Sequence, residues 1–220
     1  MKYLGKLFLS LREIFILMIM QYTILIICVL TIGVDRSVIL GSILLCIFEI
    51  IYIVWKGKKS KFRISNSSYF PYLLLGIGIA VVYNMIIFKM GLGHDVNMDF
   101  PIVLNIICSG IIGPIFEEIL FRHDLIRRLE KFNTNFLVII ILSGVIFGLF
   151  HTGIVTIIYA TIMGIINSYI YIKDKDIMKP IILHMAGNIF VNLLFGYNTL
   201  VLILGVILII LGLLMIRNND

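Results

Sequence analysis

Residues 113–125 read GPIFEEILFRHDL and set Glu117, Glu118 and Arg122 at the end of an apolar run long enough to sit in lipid. That run is typical of the chain. Of its 220 residues 61% are hydrophobic and 14% charged, with a mean hydropathy of +1.12, whereas a soluble domain is about half apolar and about a quarter charged. Too little polar surface exists to face water on all sides. The apolar runs are nearly continuous, about 20 residues each, and lack the every-other-residue alternation of barrel strands. The expected fold is therefore all-α, a polytopic helical bundle in a cell membrane.

Windows bounded by charge or turn residues predict about eight spans, near 14–34, 38–55, 69–88, 102–121, 136–151, 154–172, 181–195 and 199–216. Three fall in 1–100 and five in 101–220, an N-terminal part and a core within one membrane unit. If both termini are cytoplasmic, every lysine and arginine except Arg36 and Lys89 lies inside, as the positive-inside rule requires. The formal charge of +6 is thereby assigned to loops facing lipid headgroups, not to nucleic acid. The basic stretch 56–68 is expected to lie against anionic headgroups. The first run is too long for a signal-peptide core and reads as a retained span. Cys28, Cys46 and Cys108 lie in apolar runs without CxxC spacing and read as core residues.

An ionisable group at bilayer depth costs about 2.5 to 3.5 kcal/mol on insertion scales, so three together need partners. Glu118 and Arg122, four apart on a helix, share a face and can pair. Glu117 points about 100° away and needs a partner from another helix. The plain alternative solvates all three at the cytoplasmic mouth.

Two later runs carry further polar pairs. FGLFH, 147–151, puts Phe147 and His151 on one face, and HMAGN, 184–188, does the same for His184 and Asn188. A single histidine in a span is more often a hydrogen-bonded structural residue than a ligand. Two histidines, an asparagine and an unpaired carboxylate lower one another's burial cost if they converge. Such a set can bind zinc as His/His/Glu with an open position, or activate water without metal while His and Asn hold an oxyanion. Both routes hydrolyse an amide or ester.

Glu49, Gln21, Asn84, Asn105 and Asn167 read as interhelical hydrogen-bonding groups, and Gly144, Gly148 and Gly164 as close-packing positions. His94 and His123 are placed in or near loops without a role. HExxH, GxSxG, P-loop, GxGxxG, GxGD and rhomboid-type GxSG motifs are all missing from the sequence.

EEILFR, FGLFH and HMAGN, in that order, resemble the EExxxR, FxxxH and HxxxN motifs of the CPBP family, also called the Abi or type II CAAX protease family. The resemblance runs from Glu117 to Asn188 and implies an intramembrane endopeptidase acting on a membrane-bound peptide. It implies Glu117 as the carboxylate that activates water, His151 and His184 as paired imidazoles, and Asn188 as support for the oxyanion or the second histidine. Glu118, Arg122 and Phe147 would hold the site's shape. Zinc on Glu117, His151 and His184 is conditional, because the family is named for metalloproteases while a metal-free glutamate mechanism fits equally. Bacteriocin self-immunity, peptide-signal maturation and phage abortive infection are the biological settings the resemblance implies. The competing class is a non-catalytic immunity or transporter-like protein using the cluster structurally or as a proton relay. His123 and Asp124 stand where the family often has glycine after the arginine, which leaves the end of that helix open.

The spans also set a condition. If the fourth ends at 121 and the fifth starts at 136, a rise of about 1.5 Å per residue leaves His151 ~20 Å above Glu118. Convergence requires either that 122–135 enter the membrane or that the helix at 136 begin below the headgroup plane.

Overall fold

A computed structural model describes residues 2–92, 101–131, 135–193 and 198–218, and among them every regular element is a helix. There are eight rods: α1 (Lys2–Ile32), α2 (Val34–Lys59), α3 (Phe70–Lys89), α4 (Ile102–Glu130), α5 (Phe136–Leu149), α6 (Ile154–Asp174), α7 (Met178–Leu193) and α8 (Thr199–Asn218). The rod α4 is composite, with π-helical stretches at Ile106–Ile112 and Ile119–Ile126 on either side of Gly113–Glu118. His94 lies outside the described residues.

Local chemistry sets the ends. Gly33 and Gly153 take φ of 80° and 81° between α1 and α2 and between α5 and α6, a left-handed backbone that costs glycine nothing. Asn135 caps α5 by accepting from the Leu137 amide at 2.8 Å. Asp176 accepts from the Met178 amide at 2.9 Å to start α7, and its other oxygen accepts from the Ser65 amide at 3.0 Å. That second bond ties the segment after α2 to the α6–α7 turn.

The central rod is α4. Its Phe116, Leu120 and Phe121 pack with Ile14 of α1, Tyr52 of α2 and Phe147 of α5 in one buried core. Around it α1 pairs with α2, α5 with α6, and α3 with both α7 and α8. The pairing of α5 with α6 depends on glycine. A Cβ on Gly148 would meet Thr161 Oγ1 at 1.9 Å, and one on Gly164 would meet the Gly144 Cα at 2.8 Å, so the two backbones touch as the small residues predict. Large apolar side chains on the outer rods face outward, Leu30 at 80% and Leu200 at 75% exposure, as lipid-facing positions must.

Six of the eight helices are long and apolar enough to cross a membrane alone. The exceptions are α5 and α7, of 14 and 16 residues, against about 20 needed. They are also the helices that deliver His151 and His184. A helix of 14 residues rises only ~21 Å, less than the ~30 Å of a bilayer's hydrocarbon core.

Two expectations change here. The fourth span does not stop at 121; it continues to Glu130, and Arg122, His123 and Asp124 are 0%, 4% and 8% exposed. Partners make this possible. Asp124 ion-pairs with Lys56 and accepts from the Tyr52 hydroxyl at 3.0 Å, while His123 meets Arg127 Nη1 at 2.9 Å and the Phe62 ring at 4.7 Å. His123 is thus a packed helix residue, and Lys56, read from sequence as part of a headgroup loop, turns inward. The helix-depth condition is met by the same extension. From Glu130 back to Glu117 is ~20 Å of helix, and from Phe136 to His151 ~22 Å, so both reach one level.

Candidate active site

Chain geometry around Glu117 begins with Pro114. In the first π-helical stretch each amide bonds five residues back, as Gly113 does to the Cys108 carbonyl. The next donor in that register would be residue 114, a proline with no N–H. The Ser109 carbonyl is left over and instead accepts from Asn188 Nδ2 of α7 at 3.0 Å. A backbone irregularity in α4 thus anchors a side chain of the candidate set. Such π-turns are frequent at functional positions.

Adjacent glutamates separate completely. Glu118 is fully buried, with Arg122 Nε at 2.9 Å from Oε2, Asn167 Nδ2 at 2.9 Å from Oε1 and His184 Nδ1 at 2.9 Å from the same Oε1. The arginine approaches off its N–H axis and counts as a charge contact, not a directed hydrogen bond. Its guanidinium lies over the Phe147 ring, 4.5 Å from the centroid. The pair read from the four-residue spacing is present, and it does more than compensate charge. An ionised carboxylate only accepts, so His184 places its Nδ1 hydrogen on Glu118 and turns Nε2 away.

That Nε2 lies 3.7 Å from Glu117 Oε2. Glu117, 31% exposed, opens on a cavity of about 360 Å³ that His151, His184 and Asn188 also line. His151 sits just past the end of α5 with Nδ1 3.0 Å from the Phe147 carbonyl. A carbonyl only accepts, so this nitrogen carries the hydrogen, and in the neutral ring Nε2 is the acceptor. Phe147 stands between the imidazoles, its centroid 4.8 Å from His151 and 5.8 Å from His184, edge-on to both.

The structure brings Glu117, Phe147, His151, His184 and Asn188 to one cavity and sets Glu118 and Arg122 behind it. Between the ionisable side chains of the set the close approach is Glu117 with His184. Asn188 binds the Ser109 carbonyl and not a histidine. Among the described residues no three His, Cys, Asp or Glu side chains gather closely enough to hold a metal ion. The donor types suit zinc, and each imidazole has the outer hydrogen bond such ligands use, yet in this arrangement they form a pair and not a triad.

Sequence reading undervalued two residues. Asn167 is an interhelical donor as expected, but its acceptor is Glu118; a fully buried asparagine in an apolar span was the available signal. Glu49 accepts from Gln21 Nε2 at 2.9 Å, again as expected, and also lines the cavity beside Cys46 and Cys108. Asn105 bonds Asn192 across helices, whereas Asn84 bonds the Ala80 carbonyl within its own helix.

Comparison with known proteins covers the same region. Residues 99–190 match the family profile described as type II CAAX prenyl endopeptidase, Rce1-like. The candidate membrane peptidase YdiL of Bacillus subtilis is 40% identical over 88 residues, 40% of this chain and 36% of that protein. The membrane-embedded CAAX protease MroQ of Staphylococcus aureus is 30% identical over 140 residues, 55% of this chain and 56% of that protein. The UPF0177 protein YxdF of Lactococcus lactis is 31% identical over 97 residues, 44% and 52%. The chain thus spans between about a third and a little over half of the relatives it matches. No solved structure matches it. With six helices fit to span a membrane and bacterial relatives of this kind, the chain is a multi-pass bacterial membrane protein whose residues 99–190 are similar to the Rce1-like type II CAAX prenyl endopeptidase family.

Proposed function

We propose that the protein is an intramembrane endopeptidase that hydrolyses a peptide bond of a membrane-associated peptide or protein. The observation that carries this reading is the division of labour at 117 and 118: one carboxylate is buried to hold His184, and the other faces a cavity 3.7 Å from that histidine. A merely structural cluster has no use for the second. The peptidase names of the relatives support the same class.

Water in the cavity gives one proton to Glu117 and hydrogen-bonds through the other to His151 Nε2. The hydroxide formed attacks the scissile carbonyl, and Glu117 returns its proton to the leaving amine, so the base ends as it began. Asn188 holds one amide hydrogen on Ser109 and presents the other to the oxyanion, beside His184 when that ring carries a proton on Nε2. Glu118, Asn167 and Arg122 touch no reacting atom and fix the direction of His184. Depth in the membrane selects substrates that are themselves membrane-bound, and peptide-signal processing or bacteriocin immunity are settings in which such cleavage serves. Cytoplasmic placement of both termini belongs to the same proposal.

The test compares peptides released and retained by cells making the wild-type protein or His184→Ala. New peptide termini in the wild type alone are expected; identical termini in both would overturn the protease reading. Metal analysis of the purified protein determines whether zinc accompanies the activity.

A further inference from the structure

The bundle has a basic end, and contacts between helices tie its parts together. Lys56 near the end of α2 ion-pairs with Asp124 near the end of α4, and Glu130 at the end of α4 with Lys175 just past α6. Tyr72 at the start of α3 donates to Asp174 at 3.3 Å. Gly212 lies against the Pro71 carbonyl, so Arg217 of α8 joins the same end. Lys58, Lys59 and Arg128 stand there as well.

Measured from that end, the active-site cavity is closed below and open above. Glu117 is ~20 Å of helix from Glu130. The length between is filled by Leu120, Phe121, Leu125 and Ile126, against Tyr52 of α2 and Phe147 of α5, all buried in one core. The cavity instead continues the other way, past Glu117. Its lining includes Ser42, ~26 Å from Lys59 along α2, Thr156, ~27 Å from Asp174 along α6, and Ser109, about two turns beyond Glu117 on α4. Among the described residues Ser109 is exposed and Ser42 and Thr156 are partly so, whereas Glu118, Arg122 and Asn167 on the basic side are wholly enclosed. Three hydroxyls at this far rim suit a water-filled entrance within an apolar bundle.

The basic end is the one that the positive-inside rule places in the cytoplasm. We infer that the active site takes its substrate from the extracytoplasmic side: a membrane peptide whose scissile bond lies in the outer half of the bilayer or at its outer flank. A segment still in the cytoplasm would meet the packed core and not the cavity, so cleavage follows insertion or export of the substrate. This side of access presupposes the peptidase reading and cytoplasmic termini.

Ser109→Cys is placed in the full-length protein and probed with a membrane-impermeant cationic methanethiosulfonate, on protoplasts and on inverted vesicles. The wild-type chain, whose three cysteines are buried, gives the background, and Asn218→Cys, exposed at the basic end, reports orientation. From outside, Ser109→Cys should react roughly tenfold or more faster than Asn218→Cys, with the order reversed in inverted vesicles, because a thiol reacts only where water and reagent reach it. Labelling does not depend on cleavage, so an inactive protein still answers. Where cleavage is found, the new peptide terminus should map to the extracytoplasmic half of the substrate. Reaction of Ser109→Cys from the cytoplasmic face, reaction from neither face, or external reaction of Asn218→Cys overturns the inference, as does a terminus at the substrate's cytoplasmic flank. External labelling of Ser109→Cys with peptides unchanged between wild type and His184→Ala would overturn the peptidase reading alone and leave the side of access standing.

Discussion

Replacing Glu118 by glutamine removes one charge and keeps a side chain of the same shape, still able to accept from Asn167 and His184. What it leaves behind is Arg122, fully buried, with no other carboxylate in ion-pair contact among the described residues. Breaking a buried pair from one side costs about 3 to 5 kcal/mol, because the orphaned charge stays desolvated. For a chain of this length 1 kcal/mol shifts Tm by roughly 2–4 °C, so Glu118→Gln should melt at least about 6 °C lower in detergent. Glu117→Gln, at a partly exposed site with only a 3.7 Å contact to His184, should stay within about 4 °C of wild type. It should nevertheless lose about 10²- to 10⁴-fold in cleavage, the range for a general base. The double variant Glu118→Gln/Arg122→Met discriminates further. With both charges gone and a thioether against Phe147, Tm should recover, since an apolar replacement of a buried pair is often neutral. Cleavage should stay about tenfold or more below wild type, because His184 has lost its charged anchor. The measurements are thermal melting of purified protein and the peptide termini produced in cells. A double variant no more stable than Glu118→Gln alone would refute the orphaned-arginine argument.

Three shorter predictions address other parts of the site. Pro114→Ala supplies an N–H that competes with Asn188 for the Ser109 carbonyl; cleavage should fall about tenfold with Tm unchanged or slightly higher, and unaltered cleavage would show that this carbonyl anchors nothing. Gly148→Ala forces a Cβ against Thr161 and should cost about 1–3 kcal/mol, part of which Thr161→Gly should restore in a melting experiment; additive effects of the two changes would contradict the contact. Glu117→Ala should abolish cleavage while the protein still inserts, and Glu49→Ala should leave it largely intact. Because Glu49 lines the same cavity, its measured effect reports how far the α2 wall takes part; equal activity of the two variants sinks the catalytic assignment of Glu117.

The helices were legible because lipid imposes a simple demand: about 20 apolar residues per crossing and charge only where something compensates it. The same demand exposed Glu118 with Arg122, since four residues is one helical turn, and singled out Glu117 as the carboxylate that local geometry leaves over. What the sequence could not contain was the end of α4. His123 and Asp124 look like a charged exit to water, and they stay inside because Lys56, Tyr52 and Phe62, more than 60 positions earlier, come to meet them. For the same reason Asn167 seemed an ordinary interhelical donor until Glu118 proved to be its acceptor. The sequence by itself determined an all-helical membrane chain, its motifs and the asymmetry between two adjacent glutamates, because these follow from hydrophobicity and the period of one helix. Tertiary structure alone decided that Glu117, His151 and His184 reach one level and one cavity, because depth is set by where neighbouring helices start, stop and satisfy each other's buried charges.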